Sequence, residues 1–297
     1  MQAKRLPRNG TIGIFCPSHV ADMERYTREV FVLERLGFKV KFGVNVQKDT
    51  YGYAASAEER AADFDALVAD DSVNMVFFSG GESAVEILPL IDYDNISRHP
   101  KLFCSYSDGT SILNAIYAQT GLVTYYGSSP GVFYDLRYYD HLQFCSHFVE
   151  GYSVDEFVSD SEWKILNGGR CEGTLIGGYT SLFGLMLTSK YFKYDAGRKY
   201  LLLLEDHENF SNVGAVSTYL AFIGQSAFMN NVTGLIFGHF AENVPDDLLR
   251  CLERFGAKHS IPVVYTDDFG HGTKHAVFPI GIDARLDADD QSLCFLR

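Results

Sequence analysis

Long hydrophobic runs and an excess of positive charge are both missing from this sequence of 297 residues. Its apolar stretches are short and strand-like, well below the roughly 20 residues that span a bilayer. Lys and Arg number 25 against 38 Asp and Glu, and the resulting net charge of −13 repels phosphate backbones and anionic lipid. We therefore expect neither a nucleic-acid nor a membrane partner. Pro7 and Asn9–Gly10 break the N-terminus before any long apolar core, which does not fit a signal peptide and favours a cytoplasmic protein.

Closely spaced cysteines are also missing. The six cysteines include no CxxC pair, which is typical of small core residues rather than of a disulfide framework or a zinc knuckle. Hydrophobic residues make up 46% and charged residues 21%, a composition that excludes general disorder. The sequence therefore predicts a folded chain with room for one large domain or two ordinary ones.

In the first half of the chain, apolar runs alternate with helical patterns, which predicts βα units and a parallel sheet. The clearest helix has Ser56 as its N-cap and Glu59 three residues later, the pattern of a capping box. Residues 131–160 show no clear period and fit a linker, a lid or a short helical insert. The predicted strands are 11–15, 38–42, 73–78, 102–105 and 123–126, and the predicted helices are 22–36, 56–69, 84–90 and 109–119.

From Trp163 onward the pattern changes, because five glycines fall between 168 and 178 and indicate turns in a β-rich segment. We place a domain boundary near 155–165, which gives an N-terminal domain of 1–160 and a C-terminal domain of 161–297. The second half has predicted strands at 201–204, 234–237 and 262–265, predicted helices at 213–222 and 246–255, and strand and turn from 278 onward.

A serine lies at a corner between a predicted strand and a predicted helix, in the segment FCSYSDGT. This geometry exposes Ser107 at the carboxyl end of a sheet and leaves the amide of Asp108 at a helix N-terminus, where it can donate to a developing oxyanion. Alternatively, Ser107 or Asp108 merely caps the helix. No GxSxG elbow is present, so the α/β-hydrolase fold is not implied.

Two glycines follow the predicted strand 73–78. Gly80 and Gly81 permit positive φ and a close approach of ligand to backbone amides, and one of these amides could be a second oxyanion donor. Neither GxGxxG nor a P-loop is present, so a phosphate site is not indicated. A simple tight turn explains the two glycines equally well.

A carboxylate and an imidazole in the second half complete a possible triad. Glu205 follows a buried apolar run and could orient an imidazole, although a surface turn explains it as well. His271 lies between two glycines in the segment 267–275, which suits a general base. An alternative is a metal site of His271, His275 and the aspartates Asp267 and Asp268, but no HExxH motif supports it.

Several segments, in order along the chain, carry a resemblance to a known family. They are SGGESAVEILPLIDYDNISRHPKLFCSYSDGT in the first half and EGTLIGG, LLLLED, FGHGTKHAVFPIG and RLDADDQSL in the second. With these motifs the sequence resembles the LD-carboxypeptidase family of serine peptidases, which includes muramoyltetrapeptide carboxypeptidases and microcin C immunity-type peptidases.

This resemblance implies an α/β protein with a Rossmann-like, parallel-sheet N-terminal domain and a β-barrel-like α/β C-terminal domain. By the same resemblance, Ser107 corresponds to the nucleophile, Glu205 to the acid and His271 to the base. The oxyanion-hole amides correspond to Asp108 and to one of Gly80–Gly81. The resemblance also implies no metal, no cofactor and a homodimer.

Three positions depart from the family pattern. Ser105 stands where glycine is usual, and Tyr179 follows a glycine pair where Asn or Cys is frequent. Ser79 stands where the muramoyl-tetrapeptide branch often has an arginine able to meet a carboxylate. This last departure favours the microcin-immunity-like branch.

Three hypotheses follow. The first is an L,D-carboxypeptidase that acts on a muramoyl tetrapeptide in peptidoglycan recycling, with a small peptide as substrate. The second is a peptidase that hydrolyses peptidyl- or aminoacyl-nucleotide amides. The third is a non-catalytic binding module of the same fold, which only Ser105 favours.

Overall fold

The computed structural model describes residues 1–149 and 155–296. The chain divides into two compact units, Met1–Ser153 and Val154–Arg297. In the part of the chain that is described, no helix has both the length and the apolar composition that crossing a membrane requires.

A parallel sheet lies at the centre of the first unit, as the alternating pattern predicts. Its inner strands are apolar runs buried on both faces, which is typical of a parallel sheet covered by helices. The order β5-β4-β3-β1-β2 sets β2 and β3 on opposite sides of β1, which creates a topological switch point between β1 and β3. The strands are β1 (Thr11–Phe15), β2 (Lys39–Phe42), β3 (Val73–Phe78), β4 (Leu102–Ser105) and β5 (Thr124–Tyr126).

The first two helices of this unit have side-chain N-caps, of which the one at Ser56 was predicted. Asp22 accepts hydrogen bonds from the amides of Glu24 and Arg25, and Ser56 and Glu59 form the predicted capping box. The predicted helix 84–90 is wrong: only a 3₁₀ turn, Ala84–Ile87, forms there, since Pro89 has no amide to continue a helix. The helices are α1 (Met23–Arg35), α2 (Ala57–Ala69), α3 (Tyr93–Arg98), α4 (Thr110–Thr120), α5 (Val132–Asp135) and α6 (Tyr138–Phe148).

Of the interpretations of residues 131–160, the short helical insert is confirmed for α5 and α6. Phe133 and Phe144 meet edge to face at 5.0 Å, and both rings pack on Phe77 of β3. This aromatic packing fixes the two helices on the sheet. Because both helices are short, the sequence shows no clear helical period here. Residues 150–154 lie outside the described part.

A mixed, curled half-barrel sheet forms the second unit, in the order β13-β12-β7-β8-β9-β10-β6. Strands β7 to β10 are parallel to one another, and β6, β12 and β13 pair antiparallel. The α/β class is therefore confirmed for both halves. The strands of this sheet are β6 (Lys164–Asn167), β7 (Arg170–Tyr179), β8 (Tyr200–Glu205), β9 (Val232–His239), β10 (Val263–Gly270), β12 (Asp283–Asp287) and β13 (Ser292–Leu296). The short strand β11 (Phe278–Ile280) lies outside this order. The helices are α7 (Thr180–Met186), α8 (Val213–Gln225) and α9 (Asp246–His259).

Two features of this sheet position the residues of interest. Gly177 has a φ of +140°, and a Cβ there would lie 1.9 Å from the Leu203 carbonyl oxygen, so only glycine lets β7 approach β8. Strand β10 continues to Gly270 rather than ending near 265. Asp267 and Asp268 therefore lie on a strand, and not in a loop as the sequence predicts.

Candidate active site

In the first unit, the chain makes a strained turn at Ser107 as it leaves β4. Ser107 has a φ of +55°, a left-handed conformation that costs a non-glycine residue roughly 1–2 kcal/mol. Its amide donates to the Tyr126 hydroxyl at 2.9 Å, which holds the turn against the end of β5. Strain of this kind, retained by surrounding contacts, is characteristic of functional sites.

Small residues surround this turn. A Cβ on Gly80 would lie 2.6 Å from the Ser107 Cβ and 3.3 Å from the Asp108 amide nitrogen, so the glycine backbone lies directly against the serine. A Cβ on Gly109 would lie 2.1 Å from the Ser105 Oγ. Ser105, the departure from the family pattern, is thus accommodated because the residue facing it has no side chain.

The Asp108 carboxylate connects three loops rather than capping a helix. Its Oδ2 accepts from the Ser18 hydroxyl at 2.6 Å and from the Ala84 amide at 2.7 Å. Burial raises the pKa of this carboxyl, against the effect of those two hydrogen bonds. Because α4 has Gly109 as its N-cap and no side-chain cap, the capping interpretation of Asp108 is wrong.

In the second unit, Glu205 and His271 form a buried pair. Glu205 ends β8 and is fully buried, so the surface-turn interpretation is wrong. His271 follows directly after β10, and its Nδ1 lies 2.9 Å from the Glu205 Oε2. Gly270, at φ +109°, makes the turn that brings the imidazole to the carboxylate.

The surroundings set the protonation of this histidine. Burial lowers the pKa of His271, but the charge and hydrogen bond of Glu205, with a contribution from Asp206, raise it above its ordinary value overall. Burial raises the pKa of Asp206 to about 6. A carboxylate that orients a buried imidazole and stabilises its charged form is the arrangement used in general base catalysis.

Three rings surround the His271 imidazole, and the sequence did not indicate them as a group. Ring centroids lie at 5.4 Å for Tyr179, 5.8 Å for His207 and 5.3 Å for Phe210. Phe210 is 69% exposed, so it presents an apolar surface beside the imidazole. Tyr179 hydrogen-bonds Asp206 and comes from the position where the sequence departs from the family pattern.

The aspartates proposed as metal ligands with His271 and His275 have other partners. Asp267 lies 2.7 Å from the His239 Nδ1, and Asp268 accepts from Trp163. Among residues 1–149 and 155–296, no group of three or more His, Cys, Asp or Glu is arranged to hold a metal ion. His239, which the sequence did not indicate, ends β9, the strand between β8 and β10.

The structure thus brings together two groups of predicted residues. Ser107, Asp108 and Gly80 lie together in the first unit, and Glu205 lies with His271 in the second. Whether the two groups act as one site stays a prediction.

Comparison with known proteins gives matches along most of the chain. Residues 12–127 match the family model of the LD-carboxypeptidase N-terminal domain, and residues 172–286 match that of the C-terminal domain. The putative carboxypeptidase YocD of Bacillus subtilis is 29% identical, over 97% of this chain and 96% of that protein. The microcin C7 self-immunity protein MccF of Escherichia coli is 26% identical, over 95% and 92%.

Solved structures show the same fold. An MccF-like protein of Bacillus anthracis superposes with a TM-score of 0.90 at 25% identity, covering 100% of this chain and 99% of the other. MccF in complex with aspartyl sulfamoyl adenosine superposes with a TM-score of 0.86 at 23% identity, covering 100% and 98%.

Proposed function

Since the chain belongs to the LD-carboxypeptidase family, we propose that it is a serine peptidase that removes the terminal residue of a muramoyl tetrapeptide. The observation that carries this proposal is the buried Glu205–His271 pair, at 2.9 Å. A fully buried carboxylate destabilises the fold unless a charged or hydrogen-bonded partner compensates its desolvation. Here the partner is the His271 imidazole, whose pKa Glu205 raises.

In the proposed mechanism, His271 takes the proton of the Ser107 hydroxyl as that oxygen attacks the scissile carbonyl carbon. Glu205 accepts from the Nδ1–H, which leaves Nε2 as the basic nitrogen and stabilises the imidazolium that forms. The imidazolium then gives its proton to the leaving amine, and an acyl group remains on Ser107. Water, deprotonated by His271, hydrolyses this ester and restores the enzyme.

The oxyanion of the tetrahedral intermediate would be stabilised by the Asp108 amide and by one amide of Gly80–Gly81. The Ser107 amide is already engaged with the Tyr126 hydroxyl, which supports the assignment of the donor to the following residue. Each such donor contributes about 3–4 kcal/mol in a comparable protease. The Asp108 side chain, fixed by Ser18 and Ala84, would hold its own amide in place.

A second candidate is hydrolysis of an aminoacyl- or peptidyl-nucleotide amide by the same residues. Two observations favour it: the similarity to MccF and Ser79 in place of an arginine. The exposed Phe210 ring beside His271 offers a surface on which the nucleobase of such a substrate can stack.

Mass spectrometry after incubation with muramoyl-L-Ala-D-Glu-diaminopimelate-D-Ala separates these possibilities. We expect wild type, and not Ser107→Ala, to release the terminal D-Ala. An intact tetrapeptide together with cleavage of aspartyl sulfamoyl adenosine would move the assignment to the second candidate. Labelling of wild type by a fluorophosphonate probe that vanishes in Ser107→Ala would exclude the third hypothesis, a non-catalytic binding module.

A further inference from the structure

A polar cavity lies in the first unit at the switch point of the sheet. It measures about 210 Å³. His19 contributes from the loop after β1, and Ser79 and Gly80 contribute from the loop after β3. Ligands of open parallel sheets bind in the crevice at such a point, outside the carboxyl ends of the strands.

This cavity begins beside the proposed nucleophile. Gly80 lines it and also lies against Ser107, where a Cβ would come within 2.6 Å of the serine Cβ. Tyr106, which precedes Ser107, lines it as well. When Ser107 is acylated, the amine that leaves the acyl carbon is therefore next to this cavity.

Arg25 of α1 supplies a fixed positive charge to the cavity. Its Nε donates to the Glu29 Oε1 at 3.0 Å, and a Cβ on Gly131 would lie 2.7 Å from one Nη atom, so the guanidinium is confined on two sides. The bond to Glu29 uses one of five N–H donors, and the remaining four are on the Nη atoms. The Arg25 side chain is 58% exposed and can be reached by a ligand.

One other polar group of the cavity, Glu29, offers an acceptor for the N–H of an amino acid whose carboxylate binds Arg25. Glu29 is 2% exposed, and its Oε2 is a buried acceptor with no hydrogen-bond partner. The Asp22 carboxylate already accepts two amides of α1. Burial lowers the pKa of His19, which disfavours its charged form, and its Nε2 lies 3.3 Å from the Tyr26 hydroxyl.

We propose that this cavity is the subsite for the C-terminal residue of the substrate, with Arg25 binding the terminal carboxylate and Glu29 accepting from its nitrogen. This assignment rests on the proposed peptidase function. A guanidinium binds a carboxylate through two parallel hydrogen bonds, which would select peptides with a free C-terminus.

The test compares the tetrapeptide L-Ala-γ-D-Glu-diaminopimelate-D-Ala with its C-terminal amide. Wild type should hydrolyse the free acid with a kcat/KM about ten- to a hundredfold above that of the amide, the range for a hydrogen bond to a charged group. Arg25→Gln should lose this preference by slowing the acid alone, and Arg25→Lys should restore part of it. Arg28→Gln is the matched control, since Arg28 lies on the same helix and its guanidinium stacks on Tyr134 at 4.3 Å.

Each outcome decides the proposal. An equal loss on both substrates in Arg25→Gln, or a wild type that hydrolyses both alike, would overturn the carboxylate subsite and leave the peptidase assignment standing. Hydrolysis of neither substrate by wild type would refute the assignment to a tetrapeptide carboxypeptidase, and the subsite with it. The double variant Arg25→Gln/Glu29→Gln leaves no unpaired buried carboxylate, and should show the same loss of preference if the single variant fails to fold.

Discussion

Substituting Glu205 by glutamine tests the proposed role of the buried pair. At 2.9 Å and an effective dielectric constant of about 20, two unit charges attract each other by about 6 kcal/mol. The glutamine amide carries no charge, so the variant loses that stabilisation of the imidazolium formed when Ser107 attacks. At about 1.4 kcal/mol per tenfold, kcat should fall by about 10⁴. The equivalent change in a serine protease triad has a similar effect.

Two assays measure this loss. One is the steady-state release of D-Ala from the tetrapeptide, and the other is the rate at which a fluorophosphonate labels Ser107, which does not depend on the leaving residue. Asp206→Asn is the control, because Asp206 is the adjacent buried carboxylate and its Oδ1 accepts from the His207 amide. Its kcat should fall less than about tenfold. A Glu205→Gln enzyme within tenfold of wild type would refute the proposed role.

The pH dependence of the same variant provides an independent check. His271 acts as a base only when neutral, so wild-type kcat/KM should fall as the pH drops through a His271 pKa above 6.5. Without Glu205, burial dominates and lowers that pKa, so the acidic limb should move to lower pH. Because the folded-state pKa is raised, the pair stabilises the fold fully below pH 6.5. This advantage over the variant should disappear as the pH rises through the folded-state value.

Two further predictions concern the nucleophile turn, both measured by urea unfolding. Ser107→Gly should be more stable than Ser107→Ala by about 1 kcal/mol, since φ +55° suits glycine, while both lack activity; equal stabilities would show that the turn is unstrained. Asp108→Ala should lower the free energy of unfolding by about 2–4 kcal/mol, because Ser18 and Ala84 lose their acceptor, and Asp108→Asn should lower it less. Equal losses in the two variants would count against those hydrogen bonds.

Much of the fold could be predicted because local signals agreed with the tertiary structure. The capping box at Ser56 and the apolar run Val73–Phe78 both form as the sequence indicates. Where the signals were weak, packing decided: α5 and α6 are short, and aromatic contacts such as Phe133 with Phe144 hold them. The extension of β10 to Gly270 was missed because Asp267 and Asp268 are rarely strand residues.

The candidate site also combines residues that the sequence predicted with an arrangement that it could not predict. The Glu205–His271 contact spans 66 residues of sequence. It was suggested by the apolar run before Glu205, by the glycines around His271 and by the motifs LED and FGH. The carboxyl ends of β8, β9 and β10 bring Glu205, His239 and His271 to one edge of the sheet. Spacing in sequence contains no such information, since it depends on strand order and on where each strand ends.

The contact between Trp163 and Asp268 has a practical consequence. This is the single tryptophan of the chain, it belongs to the second unit, and its indole donates to a carboxylate three residues before His271. Intrinsic tryptophan emission therefore reports on the second unit alone, whereas far-ultraviolet circular dichroism registers both. Coincident unfolding curves from the two signals would mean that the units melt as one cooperative body, and separated curves would give each its own free energy of unfolding.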